Sequence, residues 1–293
     1  MEEGSNGAVG SRLRVDRPAD TGFSIVIEPP RGWHLLNLKE LWRYRELLIQ
    51  LAWRDIRIRY KQTLIGAAWA VLQPFLTMVV FSIFFGRFAG IPSEGLPYPI
   101  FSYAGLLPWT LFAEGMRRAS ESLVGNAALV SKVYFPRVAL PIAAIFSALA
   151  DFLFAFVVLI GMMLFYGTPF SWTILWLPVF LGLAFLTALG VGLWLSALSV
   201  RYRDVRYTLG FLVQLWLFAT PVIYPTSLLS GLWKVLVSIN PMTSVVEGTR
   251  WALLGIGSPP SGVLWISVAM VGLVLVTGLL FFQRMERAFA DVI

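Results

Sequence analysis

Six stretches of this chain are apolar over a length that spans a lipid bilayer, and no other feature restricts the fold as much. Residues 66–85, 98–116, 138–166, 174–200, 207–224 and 263–282 meet or approach the roughly 20 residues a helix needs to cross about 30 Å of hydrocarbon at about 1.5 Å per residue. Inside lipid every backbone N–H and C=O must be bonded within the protein, so single apolar runs of this length are helices. The chain therefore reads as an all-α integral membrane protein. Composition agrees. The 293 residues are 58% hydrophobic and 13% charged, with a mean hydropathy of +0.75. Soluble domains average about 45–50% apolar and about 25% charged, so lipid must solvate much of this surface. The third and fourth stretches are long enough to tilt or to extend past the membrane.

Lysine and arginine fix the expected orientation. Residues 12–61 hold eleven of the 23. Arg117, Arg118, Lys132 and Arg137 lie between stretches two and three, Arg201, Arg203 and Arg206 between four and five, and Arg284 and Arg287 after six. Only Arg87, Lys234 and Arg250 fall on the other side. By the positive-inside rule both termini are expected to be cytoplasmic. The net charge of +7 is then explained by loops facing anionic lipid rather than by nucleic acid.

Residues 1–37 read as an N-terminal cytoplasmic tail, polar at the start and without the apolar core of a signal peptide. Within it Phe23–Glu28 reads as a short extended segment stopped by Pro29 and Pro30. In Leu38–Tyr60, Leu38, Leu41, Trp42, Leu48, Leu51 and Ala52 recur at helical spacing with charges opposite. An amphipathic helix over 38–61, lying in the membrane interface, is predicted. A transmembrane domain follows over 62–293. Between stretches five and six, residues 225–262 hold two short apolar pieces split by Asn240-Pro241. A re-entrant hairpin fits them, and so do two surface helices of an extracellular loop.

Covalent chemistry has little to work with. There is no cysteine and one histidine, His34, which leaves no thiol and no histidine cluster for metal. No phosphate loop, zinc-protease motif or serine elbow occurs. Asp151, inside stretch three, is read either as a proton site of a carrier or as a carboxyl group bonded to a neighbouring helix. Glu114 and Glu121 are the only candidates for paired carboxylates of a transferase, about 10 Å apart along a helix. Glu247 and Arg250, three apart, are expected to form an ion pair pinning the hairpin. Aromatics near the ends of the stretches form an interfacial belt or line a path for sugar rings.

Four motifs in order make the sequence recognisable. Trp53–Gly90 reads WRDIRIRYKQTLIGAAWAVLQPFLTMVVFSIFFGRFAG, and Gly105–Ile142 reads GLLPWTLFAEGMRRASESLVGNAALVSKVYFPRVALPI. RYRDVRYTLGFLVQLWLFATPVIYP introduces stretch five, and INPMTSVVEGTRWALLG lies in the hairpin region. Over about residues 38–293 the chain resembles the permease subunits of polysaccharide ABC exporters of the ABC-2 type, which move O-antigen, capsule or teichoic acid polymers.

The resemblance implies a homodimer with the channel between two copies, in the cytoplasmic (inner) membrane. It implies two copies of a separate ATP-binding subunit that hold ATP and magnesium, while this chain holds no cofactor and catalyses nothing. It implies a polyprenyl-linked polysaccharide as substrate. Lys132, Tyr134, Phe135, Pro136 and Arg137 match the family's K-x-Y-F-P-R coupling or gate element, with Tyr134 and Phe135 available to plug a groove on the ATPase. Arg54, Arg57, Arg59 and Lys61 are candidate contacts for a lipid diphosphate, or for anionic lipid. Pro225–Gly257 would form an outer gate, with Tyr224, Trp233 and Trp251 as candidate sugar contacts. A drug or lipid exporter of the same fold and a proton-coupled carrier using Asp151 are the rival readings.

Overall fold

A computed structural model of the chain describes residues 38–61, 66–257 and 262–292. The expected extended segment Phe23–Glu28 and the rest of the tail lie outside the described residues. Eleven α-helices occur among those described: α1 Leu38–Arg43, α2 Arg45–Lys61, α3 Gly66–Phe81, α4 Tyr98–Gly125, α5 Ala127–Lys132, α6 Ala139–Phe165, α7 Leu177–Arg201, α8 Asp204–Ala219, α9 Gly231–Ile239, α10 Pro241–Leu254 and α11 Gly262–Val292. No strand is present among the described residues.

Among the described residues four segments are long and apolar enough to cross a membrane: Ala68–Phe88, Ala139–Phe165, Trp172–Arg201 and Leu264–Glu286. The first joins α3 to a π-helical segment, Ser82–Phe88, in which the hydrogen-bonded turns widen. The other two predicted crossings differ for separate reasons. Helix α8 has 16 residues, about 24 Å at about 1.5 Å per residue. It stops at Ala219 because Thr220 precedes Pro221 and is extended, as residues before proline tend to be. The predicted stretch 207–224 thus ends in irregular chain.

Helix α4 is long but polar, and its position explains why. Nineteen of its 28 residues are buried, and α3, α6, α7 and α10 pack around it. Hydroxyls that would be costly against lipid are satisfied inside. Tyr98 donates to the Ile223 carbonyl at 2.7 Å and Tyr103 to the Ala155 carbonyl at 3.1 Å. The helix also runs nine residues past its expected end at Met116. Those turns carry Arg117 and Glu121 to partly exposed positions and aim Arg118 inward at α6, all on a continuous scaffold.

The helix predicted over 38–60 is divided by a turn at Tyr44. Helix α2 packs chiefly on α6 and buries Leu51 and Ala52, while its Ile49, Trp53 and Ile58, and Trp42 of α1, are exposed. At the other end of the molecule α9 and α10 form the two short helices expected there. Asn240 joins them. Its side chain caps α10 by accepting from the Met242 N–H at 3.1 Å, and it donates to Thr220 at 2.8 Å. Gly255, at φ +68°, ends α10 in the left-handed conformation that favours glycine.

Candidate functional site

The K-x-Y-F-P-R element divides into a tip and a base. Lys132, Val133 and Tyr134 are exposed at the end of α5. Phe135 is 5% exposed and belongs to the core. The expectation that Tyr134 and Phe135 both reach a partner is therefore corrected: Phe135 is buried in its own chain. Arg137 also turns inward. It donates to the Glu286 carbonyl of α11, and its guanidinium lies 6.0 Å from the Phe289 ring. Pro136 lies between the two inward-turned side chains, lacks a backbone donor and holds its φ near −65°.

Asp151 is not isolated. It accepts hydrogen bonds from the Tyr60 hydroxyl of α2 and from Arg118 of α4, and Arg59 stands 3.2 Å away. Three elements thus meet on one carboxylate of α6. Arg118 also bonds Ser147 at 3.0 Å, and its Nε lies 3.5 Å from Glu114. Glu114 and Glu121 both pair with Arg117, at 2.8 and 3.6 Å, so the two acids are held by an arginine rather than turned toward a shared ion. Burial, and then the bond to Asp151, push the Tyr60 phenol above its ordinary pKa, which keeps it a donor. Arg59, Arg118, Glu114 and Asp151 thus gather where the end of α2 meets α4 and α6.

The basic residues of α2 divide as well. Arg59 turns to Asp151. Arg54 bonds Asp55 at 2.8 Å and the Asn126 side chain, between α4 and α5, at 2.7 Å. Arg57 stacks 5.4 Å from the Trp53 ring centroid, and Lys61 is exposed. Gln50, Trp53, Arg54, Arg57, Ile58 and Lys61 line one groove of about 520 Å³. The four cations expected to act together therefore face two ways. Sequence reasoning missed Asn126, which ties α2 to the start of the exposed tip; an asparagine between two helical patterns was its one signal.

The expected Glu247–Arg250 ion pair is not formed. Arg250 is 3% exposed and donates to the carbonyls of Phe101 at 3.1 Å, Pro221 at 2.7 Å and Val222. Its guanidinium lies over the Phe101 ring at 3.7 Å, where a Cβ on Gly105 would come within 2.5 Å of it. The Pro221 and Val222 carbonyls, left free by the break after α8, need donors, and the five N–H groups of a rigid guanidinium fork supply them, which a carboxylate, an acceptor only, cannot do. Glu247 instead accepts from the Thr226 backbone N–H at 3.1 Å and from the Thr226 hydroxyl. Both side chains tie α10 to the connection between α8 and α9, Arg250 at Pro221 and Val222 and Glu247 at Thr226. The three aromatic candidates have different settings. Trp233 is 68% exposed, Tyr224 is half-buried with its hydroxyl 3.4 Å from the Phe218 carbonyl, and Trp251 meets Trp176 edge-on at 6.4 Å.

The sequence profile of the ABC-2 type transporter family matches residues 46–254, from the start of α2 to the end of α10. The chain belongs to this family. It is similar to the O-antigen export system permease protein RfbA of Myxococcus xanthus, 30% identical over 71% of this chain and 80% of the relative. It is similar to the protein of the same name from Klebsiella pneumoniae, 24% identical over 85% and 95% of the two chains. The polysialic acid transport protein KpsM of Escherichia coli is 28% identical over 80% and 92%. The ABC-2 match covers the exposed tip, the charge cluster and the Arg250 anchor alike. The protein is a multi-pass membrane permease.

Proposed function

We propose that this chain is the transmembrane subunit of an ATP-driven exporter that moves a lipid-linked polysaccharide of the O-antigen kind across the cytoplasmic membrane. The observation that carries this is the alignment, over most of each chain, with permease proteins named for O-antigen export and with a polysialic acid transport protein. The resemblance of the four motifs supports the same reading. In it α4 and α8 are the fifth and sixth crossings, both termini are cytoplasmic, and α9–α10 dips into the outer leaflet. The exposed side of α2 lies on the inner leaflet. Each copy binds one of two ATPase subunits, which hold ATP and magnesium, through Lys132, Val133 and Tyr134.

Two copies of the chain form the channel. Helix α8 buries one of its 16 residues, Leu209, and is the surface that we assign to the second copy. Arg57 and Lys61, with Arg54, meet the lipid diphosphate or anionic headgroups at the α2 groove. Tyr224, Trp233 and Trp251 belong to the outer gate. Asp151 works as a structural ion partner in this reading, with Arg59, Arg118 and Tyr60 around it, which counts against the proton carrier.

Reconstitution with the ATP-binding subunit tests the proposal. Polymer export is expected only with hydrolysable ATP. Export that continues without hydrolysis overturns it, and nucleotide-driven movement of single lipids or drugs with no polymer export favours the rival exporter. Lys132→Ala with Tyr134→Ala is expected to lower export about ten-fold, about 1.4 kcal/mol of coupling, with the subunit still in the membrane.

A further inference from the structure

Helix α11 is fastened at both ends of its membrane crossing, by contacts that the proposed function does not use. At the inner end Arg137 holds the Glu286 carbonyl and faces the ring of Phe289, which is 1% exposed and packs edge-on against Phe282 at 5.3 Å. At the outer end the Ser267 hydroxyl donates to Ser244 of α10 at 2.7 Å, and both side chains are buried. Glu286 and Ser267 are nineteen residues apart, about 28 Å along the axis at about 1.5 Å per residue, close to the thickness of the hydrocarbon core.

Between the two anchors the helix is built to stay straight. It contains no proline, whereas α3 carries Pro74 and then widens into π turns and α4 carries Pro108. Sharp kinks come from proline, Gly/Ser pairs, π-bulges or inserted groups; α11 has no proline and no adjacent Gly–Ser pair, and its turns stay α-helical from end to end. It is also clamped sideways. A Cβ on Gly190 of α7 would come within 2.9 Å of the Leu275 backbone, so the two helices touch main chain to main chain. Trp194 stacks on Phe281 at 4.0 Å. A straight helix with both ends bonded transmits displacement along its axis better than a kinked one.

We propose that α11 is a push-rod: Arg137 passes movement of the inner loop to its cytoplasmic end, and the Ser244–Ser267 joint delivers it to the outer hairpin. This rests on the reading of residues 132–134 as the ATPase contact. Arg137 and Ser267 are then positioning residues, acting on the translocation path through α11. The inner loop and the outer hairpin move together, rather than through sequential loosening of the bundle.

The chain has no cysteine, so one label can be placed at will. In the reconstituted complex, Leu232→Cys in exposed α9 carries an environment-sensitive fluorophore that reports the outer hairpin. ATP is expected to change its signal. Ser244→Ala with Ser267→Ala is expected to reduce that change and export about five-fold, with ATP hydrolysis retained. Arg137→Gln reduces the same signal, and Arg137→Lys restores part of it. A separate chain with Ser244→Cys and Ser267→Cys, exporting equally well oxidised and reduced, supports a joint that moves as one body; loss of export on oxidation overturns it. A full outer response in both the double-serine and the Arg137→Gln variants also overturns the push-rod. Failure of the underlying reading looks different: Lys132→Ala with Tyr134→Ala then leaves the outer response and export unchanged.

Discussion

Buried charge is scarce in this chain, so each instance carries a readable role. Asp151 and Arg118 have side chains 12% and 11% exposed. Removing the Asp151 charge takes an ion partner from both Arg118 and Arg59, and leaves Arg118 with only Ser147 at 3.0 Å and the more distant Glu114 at 3.5 Å. Asp151→Asn is therefore expected to destabilise the protein by about 3 kcal/mol, measured by denaturant titration in mixed micelles. A variant as stable as the parent would show that Arg59, Arg118 and Tyr60 gain nothing from the carboxylate. Arg250 makes a complementary case. Its partners are three carbonyls and an aromatic face rather than an acid, so it answers the unmet backbone acceptors around the proline break, a requirement invisible in the spacing of Glu247 and Arg250.

At the scale of elements, small residues decide how closely the helices approach. In lipid there is no hydrophobic gain from bringing two apolar helices together, so close van der Waals packing has to hold them. Gly190 lets α7 and α11 meet backbone to backbone. A side chain there would press on the main chain of Val274 and Leu275, which cannot move aside as a flexible side chain could. Gly190→Val is expected to cost about 2 kcal/mol and to separate α11 from α7. Thermal unfolding of the purified complex checks the first effect. Quenching of a probe near Trp194 checks the second. Equal melting and equal quenching would mean that the contact is slack.

For the whole molecule, the distribution of burial is the informative quantity. Helix α4 sits at the centre and α8 at the periphery, although a hydropathy scan treats both as weaker crossings than their neighbours. The exposed residues of α8 include Phe211, Leu212, Leu215 and Phe218. With the second copy placed there, Leu215→Cys is expected to form a disulfide-linked dimer in native membranes on mild oxidation. The label-free background of a cysteine-less chain makes the band on a non-reducing gel unambiguous. Monomer alone at that position, with a cross-link obtained instead from an α6 position such as Val157, would move the interface.

The amino-acid sequence by itself determined the solvent of this protein and the rough extent of its apolar helices, because both follow from runs of residues and from one length, the thickness of a bilayer. It also showed the helical pattern within residues 38–61, the two short helices around Asn240-Pro241 and the family resemblance later met by the ABC-2 match, since these are local patterns. Tertiary structure decided the partners of the charges. Arg59 and Arg118 converge on Asp151 from 92 and 33 residues away, and Arg250 reaches Phe101 across 149. Such pairings depend on which helices pack together, and periodicity within one helix carries no record of that. The six apolar stretches with which the chain first declares itself are, in the fold, a buried pillar, a short peripheral helix, and four segments long and apolar enough to cross, the last of them tied at both ends.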